Sequence, residues 1–362
     1  MKFAIACGGT GGHLFPGLAV AEVLRRQGHE VLLFVSEKEV DARALQNHPD
    51  LAREKLPSIG LPSVFSPAMV TFLRRLRASL KKCGACYDKD RPCAVLGMGG
   101  FTSIAPLIAA RRRGIPAFLH ESNAIPGKAN RLAARFCRAV LLGFDECARH
   151  FGTRATHVTG TPIRRELTVD VPSREEARRR LGLAAGRTTL LVMGGSQGAA
   201  GINALLAQSA PHLAGSDLQV IHLAGEREAA TVRGAYDTAG VPCAVLPFCD
   251  RMQDVYPAAD LAVSRAGAAS LGELSWFGLP AVLIPYPYAA EDHQRLNAEI
   301  YARHGAARIV AEREASAESL APLLRSLLES PESLETMASA ARTLAPRDAA
   351  ERVAAILTEA KP

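Results

Sequence analysis

The chain has 362 residues, enough for two domains, and 48% of them are hydrophobic, enough to build two cores. Its net charge of +7 is unevenly spread: residues 1–163 carry 23 Lys and Arg against 12 Asp and Glu, and the remainder is mildly acidic. These figures exclude several classes: no run of eighteen apolar residues exists to span a membrane, the eight cysteines are scattered instead of framed for disulfides, and 5% aromatic content with no nucleic-acid module argues against a nucleic-acid binder.

In chain order, Lys2 to Cys7 reads as a short apolar strand that runs into Gly8-Gly9-Thr10-Gly11-Gly12-His13. A helix is expected from Pro16 to Arg26, closed by Gly28, with a strand at Val31 to Val35. That is a βαβ unit with a glycine turn, the start of a doubly wound sheet. The spacing is not G-x-G-x-x-G, so it does not predict a dinucleotide site. The apolar stretch of MKFAIACGGTGG is too short for a secretory signal, which predicts a cytosolic location.

Residues 64–82 place Phe65, Met69, Phe72, Leu73, Leu76 and Leu80 at helical spacing among Arg74, Arg75, Arg77, Lys81 and Lys82. Such a basic amphipathic segment suits an anionic lipid surface, as the basic first half of the chain does, the other reading being a core-facing helix with a solvated basic side. Cys83, Cys86 and Cys93 lack the second pair of ligands that a zinc site needs, so they read as ordinary thiols. Asp88-Lys89-Asp90 has the D-x-D form that holds metal–nucleotide in some transferases, but it reads as a solvated turn before the strand at Ala94.

A second glycine turn, Gly97-Met98-Gly99-Gly100-Phe101, follows that strand, and His120-Glu121-Ser122-Asn123-Ala124-Ile125-Pro126-Gly127 follows the next. Polar groups just past a strand's C-terminal end are where open α/β sheets bind ligands. Val158 to Arg164 reads as a crossover, and the Arg-rich helix 173–181 opens the second domain. There the plan restarts: a strand at Thr188 to Met193, the turn Gly194-Gly195-Ser196-Gln197-Gly198-Ala199, a helix, further strands at Val220 to Leu223 and Cys243 to Leu246, then Phe248-Cys249-Asp250. Leu261 to Val263 leads through Ser264-Arg265-Ala266-Gly267 into a helix from Ala268 to Trp276, closed by Gly278. A strand at Ala281 to Pro285 follows, then a loop containing Glu291-Asp292-His293-Gln294. The tail 332–360 is Ala-rich and helical. The helix N-terminus at Ala268 suits a diphosphate, Glu273 a ribose diol, and the Gln294 amide sugar hydroxyls.

Taken in order, these motifs resemble the MurG family of peptidoglycan N-acetylglucosaminyltransferases over nearly the whole chain. Each glycine turn is weak by itself; the ordered set is specific. The resemblance implies an α/β GT-B fold of two Rossmann-like domains facing across a cleft. It places residues 1–163 and a returning helix at 341–362 in an acceptor and membrane domain, and 164–340 in a UDP-GlcNAc domain. The implied reaction is inverting transfer of GlcNAc from UDP-GlcNAc to undecaprenyl-pyrophosphoryl-MurNAc-pentapeptide. It would take place at the cytoplasmic face of the inner membrane, with neither cofactor nor metal. By motif, Ser196 with Ala268, Ser270 and Leu271 would hold the diphosphate, Glu273 the ribose, the Cys249 backbone the uracil and Gln294 the sugar. Thr10, Gly11, Gly12, Asn123 and Arg164 would line the acceptor side, with His13 as candidate base and Glu121 its competitor. The chain departs from the pattern at Thr161, Ser122 and His293, where Asn, Gln and Gln are common.

Other readings compatible with the same residues are a different GT-B enzyme, such as a lipid glycosyltransferase or a UDP-GlcNAc epimerase, and a non-catalytic nucleotide-sugar-binding membrane protein. A nicotinamide dehydrogenase fits poorly, because no G-x-G-x-x-G turn is followed at the right distance by an acidic residue.

Overall fold

Strands pair in parallel throughout both sheets, and the central ones are short apolar runs buried on both faces. The computed structural model describes residues 1–38, 41–42, 45–57, 66–195, 198–215 and 217–360. The chain forms two units, Met1–Arg164 with Asp348–Pro362, and Arg165–Arg347.

The first unit holds a seven-stranded sheet of β1 (Lys2–Ala6), β2 (Glu30–Ser36), β3 (Ala52–Leu56), β4 (Ala94–Gly97), β5 (Ala117–Glu121), β6 (Ala139–Leu142) and β7 (Ala155–Val158), in the order β3-β2-β1-β4-β5-β6-β7. Alternate residues of β1 serve opposite faces, as the period of two requires. Phe3 and Ile5 join Leu14, Leu18 and Leu24 of the helix Gly11–Arg26 and Val353, Ala354 and Leu357 of the helix Ala349–Thr358. Ala4 and Ala6 join Cys83 and Tyr87 of the helix Ala68–Lys89 and Ile104 and Leu107 of the helix Gly100–Arg112.

The second unit repeats the plan with six strands. They are β8 (Thr188–Met193), β9 (Leu218–Leu223), β10 (Cys243–Leu246), β11 (Leu261–Ser264), β12 (Ala281–Leu283) and β13 (Ala307–Ile309), ordered β10-β9-β8-β11-β12-β13. Strand order reverses between β1 and β4 in the first sheet and between β8 and β11 in the second. In a doubly wound sheet the crevice for ligands opens at that reversal, beyond the strands' C-terminal ends.

Several sequence expectations shift. The first helix starts at Gly11, not Pro16: the Leu14 N–H already donates to the Thr10 carbonyl at 3.0 Å, and Pro16 sits inside the helix, where it omits one early bond. Asp88 and Lys89 close the helix Ala68–Lys89 instead of forming a turn, and Phe65 lies outside the described residues. The expected crossover begins as β7, with Thr159 and Gly160 donating back to the Leu142 carbonyl at 3.0 Å each. The tail is two helices, Pro331–Thr343 in the second unit and Ala349–Thr358 in the first.

Helix Gly11–Arg26 lies close on the sheet because Gly17 lacks a side chain; a Cβ there would stand 2.3 Å from Cys7 Cβ and 3.1 Å from Met98 Cγ. Gly17→Ala should therefore destabilise the protein by about 1–3 kcal/mol through overpacking, although Ala is the better helix former by ~1 kcal/mol. Urea unfolding checks this, and an unchanged or raised midpoint would contradict it.

Candidate active site

At the first switch point, the turn Gly8–Gly12 leaves β1 and the turn Gly97–Gly100 leaves β4, so their motifs become neighbours. The His13 imidazole lies against the second turn: a Cβ at Gly99 would come 3.1 Å from its Cδ2 and Nε2, and one at Gly100 would come 3.2 Å from its Cε1. Thr10 Oγ1 is 3.1 Å from His13 Nδ1. Thr10, Gly11 and Gly12 thus sit at the N-terminal turn of the helix, with His13 three residues beyond Thr10.

The loop after β5 supports this corner. Buried Glu121 accepts from Asn123 N at 2.9 Å and Asn123 Nδ2 at 3.0 Å through Oε1, and from Asn130 Nδ2 at 2.6 Å through Oε2. Asn130 Oδ1 in turn accepts the Gly100 N–H at 3.0 Å. Both Glu121 oxygens are therefore committed to holding loops. Burial raises its pKa, while the bonds from Asn123 and Asn130 oppose the shift. Arg164 lies with its guanidinium carbon 4.2 Å from the centre of the Phe15 ring, at the same helix start.

His120 is fully buried, with Nε2 2.9 Å from the Gly160 carbonyl and Nδ1 3.2 Å from Ser122 Oγ. The carbonyl can only accept, so Nε2 carries the proton and Ser122 donates to Nδ1. Burial pushes the His120 pKa down to about 4 against the usual 6.5. Thr161 and Ser122, two of the departures from the family pattern, are both buried beside this strand end, and a Cβ at Gly143 would come 2.7 Å from Thr161 Oγ1.

At the second switch point, a cavity of about 640 Å³ is lined by Gly194, Gly198, Arg265, Tyr286, Gln294 and Glu312, among others. Arg265 is 8% exposed and tied into the scaffold: Nη1 donates to the Ile284 and Pro285 carbonyls at 3.1 and 3.3 Å, and the fork meets Glu312 at 2.8 and 3.0 Å. Gln294 Oε1 accepts the Tyr286 N–H at 2.9 Å and the Ala266 N–H at 3.3 Å. Those two donors fix which end of the amide is oxygen, so its NH2 is the end available to a ligand.

The helix Ala268–Phe277 begins as expected, so the amides of Ala268 and Ser270 are among those with no partner inside the helix, while the Leu271 N–H donates to Gly267 O at 2.9 Å. Glu273, nearly buried one turn further on, accepts from the Tyr256 hydroxyl at 2.5 Å, which orients its carboxylate. Among the described residues, Glu273, Cys249 and the first turn of this helix do not line the 640 Å³ cavity. Ser196 lies outside the described residues. Sequence reasoning missed Asp41, Asn130, Tyr256 and Glu312; none belongs to a motif, and each reaches the site by a side chain from another element.

Asp88 and Asp90 are not poised for a metal–nucleotide. Asp88 accepts from Arg113 Nε at 2.7 Å and Nη2 at 2.6 Å, and Asp90 pairs with Lys2. Cys83 is buried and Cys86 half-buried on the same helix, and burial raises both thiol pKa values.

Two parallel α/β units with glycine turns at both switch points match a known pattern of transferases. Residues 3–142 match the glycosyltransferase family 28 N-terminal domain and residues 189–353 its C-terminal domain, so the protein is a glycosyltransferase of GT-B fold. The chain is 40% identical over 357 residues to the UDP-N-acetylglucosamine–N-acetylmuramyl-(pentapeptide) pyrophosphoryl-undecaprenol N-acetylglucosamine transferase of Geotalea uraniireducens, covering 97% of this chain and 96% of that one. It is 39% identical to the protein of the same name from Halorhodospira halophila, covering 98% and 97%. The crystal structure of Acinetobacter baumannii MurG superimposes with a TM-score of 0.78 at 27% identity over 99% of both chains. The UDP-GlcNAc 2-epimerase of Neisseria meningitidis shares the fold, with a TM-score of 0.71 at 14% identity over 99% of this chain and all of that one. The chain belongs to the MurG family.

The buried histidines make stability depend on acid. His120 at about 4 and His222, pushed down to about 3 by burial, stay neutral in the fold while the unfolded chain protonates near 6.5. The unfolded state thus binds more protons below that value, so stability present above pH 6.5 is lost as pH falls toward 4. The urea midpoint should be lower at about pH 5 than at about pH 7.5, and His120→Gln should narrow the difference, leaving the share that His222 carries. An equal slope in that variant would assign the loss to other groups.

Proposed function

We propose that the protein transfers N-acetylglucosamine from UDP-N-acetylglucosamine to the 4-hydroxyl of undecaprenyl-pyrophosphoryl-N-acetylmuramoyl pentapeptide, with inversion. The observation that carries this reading is the pairing of Thr10 with His13 at the first switch point of a chain so similar, end to end, to transferases of that name. With His13 Nδ1–H donating to Thr10, Nε2 holds the lone pair and takes the proton from the acceptor hydroxyl. The acceptor oxygen bonds to the anomeric carbon as the bond to the diphosphate breaks, and UDP leaves with that electron pair.

Thr10, Gly11, Gly12, Asn123 and Arg164 line the acceptor side. On the donor side, Ser196 and the amides of Ala268 and Ser270 meet the charge that grows on the leaving diphosphate, the Leu271 N–H being already taken by the Gly267 carbonyl. Glu273 binds the ribose hydroxyls, the Cys249 backbone the uracil edge, and the Gln294 NH2 a hydroxyl of the transferred sugar. No divalent metal is required in this scheme; oriented N–H groups carry the leaving-group charge, and the two D-x-D carboxylates are occupied by Arg113 and Lys2.

UDP release from UDP-GlcNAc with a short-chain acceptor analogue tests the assignment. We expect acceptor-dependent release that survives EDTA, and a fall of roughly 100-fold or more in His13→Ala. Consumption of UDP-GlcNAc without acceptor would point to an epimerase, and near-normal turnover in His13→Ala would end the base assignment.

The first unit also docks on anionic lipid. No helix among the described residues is long and apolar enough to cross a membrane. On the helix Ala68–Lys89, Val70 and Leu73 are 57% and 54% exposed, beside exposed Arg74, Arg75, Arg77 and Lys81. That combination suits peripheral binding at the cytoplasmic leaflet. Val70→Asp with Leu73→Asp should abolish co-sedimentation with phosphatidylglycerol vesicles and leave turnover of a soluble acceptor intact. Retained vesicle binding would move the docking face elsewhere.

A further inference from the structure

The chain leaving β2 grips the first glycine turn from beneath. Asp41 is completely buried. Its Oδ2 accepts the Gly9 N–H at 2.9 Å, the Ser36 N–H at 2.8 Å and the Ser36 hydroxyl at 2.6 Å, and Oδ1 lies 3.2 Å from the same Gly9 nitrogen. Lys38 Nζ donates to the Gly9 carbonyl at 2.9 Å. Both polar groups of Gly9 are thus held from one stretch of chain.

The glycines are what allow this. Gly9 turns its N–H onto the carboxylate with φ of +109°, and a Cβ at Gly8 would fall 2.2 Å from Ser36 N and 2.6 Å from Asp41 Oδ2. The next residue is Thr10, whose hydroxyl meets His13 Nδ1. Contacts therefore run unbroken from Asp41 through Gly9 and Thr10 to the imidazole. A carboxylate buried this deeply is strongly disfavoured by desolvation unless its donors are all in place, so the turn can shift little without losing it.

We propose that Asp41 is the positioning residue of the acceptor-side base: through Gly9 and Thr10 it sets where His13 stands relative to the acceptor hydroxyl. This rests on the reading of His13 given above.

The test is a double-mutant cycle on the full chain, reading UDP release with UDP-GlcNAc and the short-chain acceptor. Asp41→Asn keeps the shape but turns one acceptor oxygen into an NH2 facing an N–H donor. We expect kcat to fall about 100-fold, the loss that follows a displacement of about 1 Å at a reacting group. The donor KM should not change, because the donor residues belong to the other unit. Added to His13→Ala, the same substitution should cost almost nothing more, since both act on one step. Lys38→Met, at an exposed side chain, repeats the cycle with a smaller loss should Asp41→Asn fail to fold. Wild-type kcat in these variants, or an equal fold-loss with and without His13, would overturn the proposal by marking Asp41 as structural. A wild-type protein with no acceptor-dependent release would instead overturn the functional reading, and this inference with it.

Discussion

Everything at the two sites follows from the reversal of strand order in a parallel sheet. Helices leaving β1 and β4 must go to opposite faces, and so must those leaving β8 and β11; the turns between them cannot be bridged by backbone from the same sheet. A crevice is left at each reversal, floored by strand ends and flanked by helix N-termini. Polar backbone groups there have no ladder partner, so they are free to meet a ligand or must be held by side chains.

The protein does both. Beside amides left without a helical partner at the helix starts, both glycine turns of the first unit lean on a buried polar side chain from another element. Asp41 takes the Gly9 N–H, and Asn130 takes the Gly100 N–H while tied to Glu121. Asn203 donates to the Ala224 carbonyl at 2.7 Å, the same carbonyl that a Cβ at Gly198 would meet at 2.6 Å. Asn203 is itself held by His222, whose other nitrogen lies 3.0 Å from the Tyr236 hydroxyl. Fully satisfied buried networks of this kind rigidify their surroundings, and pliable glycine turns become defined surfaces. At the second switch point the Arg265–Glu312 pair does similar work, setting one charge against another in the wall of the cavity.

Much of this architecture could be read from the chain. Central strands such as Lys2–Ala6, Thr188–Met193 and Leu261–Ser264 are continuous apolar runs closed by glycines, and that pattern marks a doubly covered parallel strand. The edge strand β3 was invisible because AREKL is exposed over most of its length and patterned by charge, not by burial, whereas the edge strand β10, CAVL, keeps an apolar run and was read as a strand. The helix start at Gly11 was misplaced because proline was given the first position, whereas Thr10 closes the turn ahead of it. The motifs marked the glycine turns and strand ends at the two switch points, while the residues that hold those turns were not legible. Asp41, Asn130, Tyr256 and Glu312 act through contacts across 17 to 47 positions of chain, and nothing in local spacing announces such a partner.

The chain passes from the first unit to the second after Arg164 and returns at Asp348. The last helix then contributes Val353, Ala354 and Leu357 to the core built on β1. Translation order therefore runs against folding order. The glycine turn that carries His13 leaves the ribosome long before the helix Ala349–Thr358, which the apolar face of its own helix needs as a partner. Until then the emerging protein holds an unfinished first unit beside a second one whose residues are already all present, and any nonsense mutation upstream of Asp348 would release a chain with its first core still open to water.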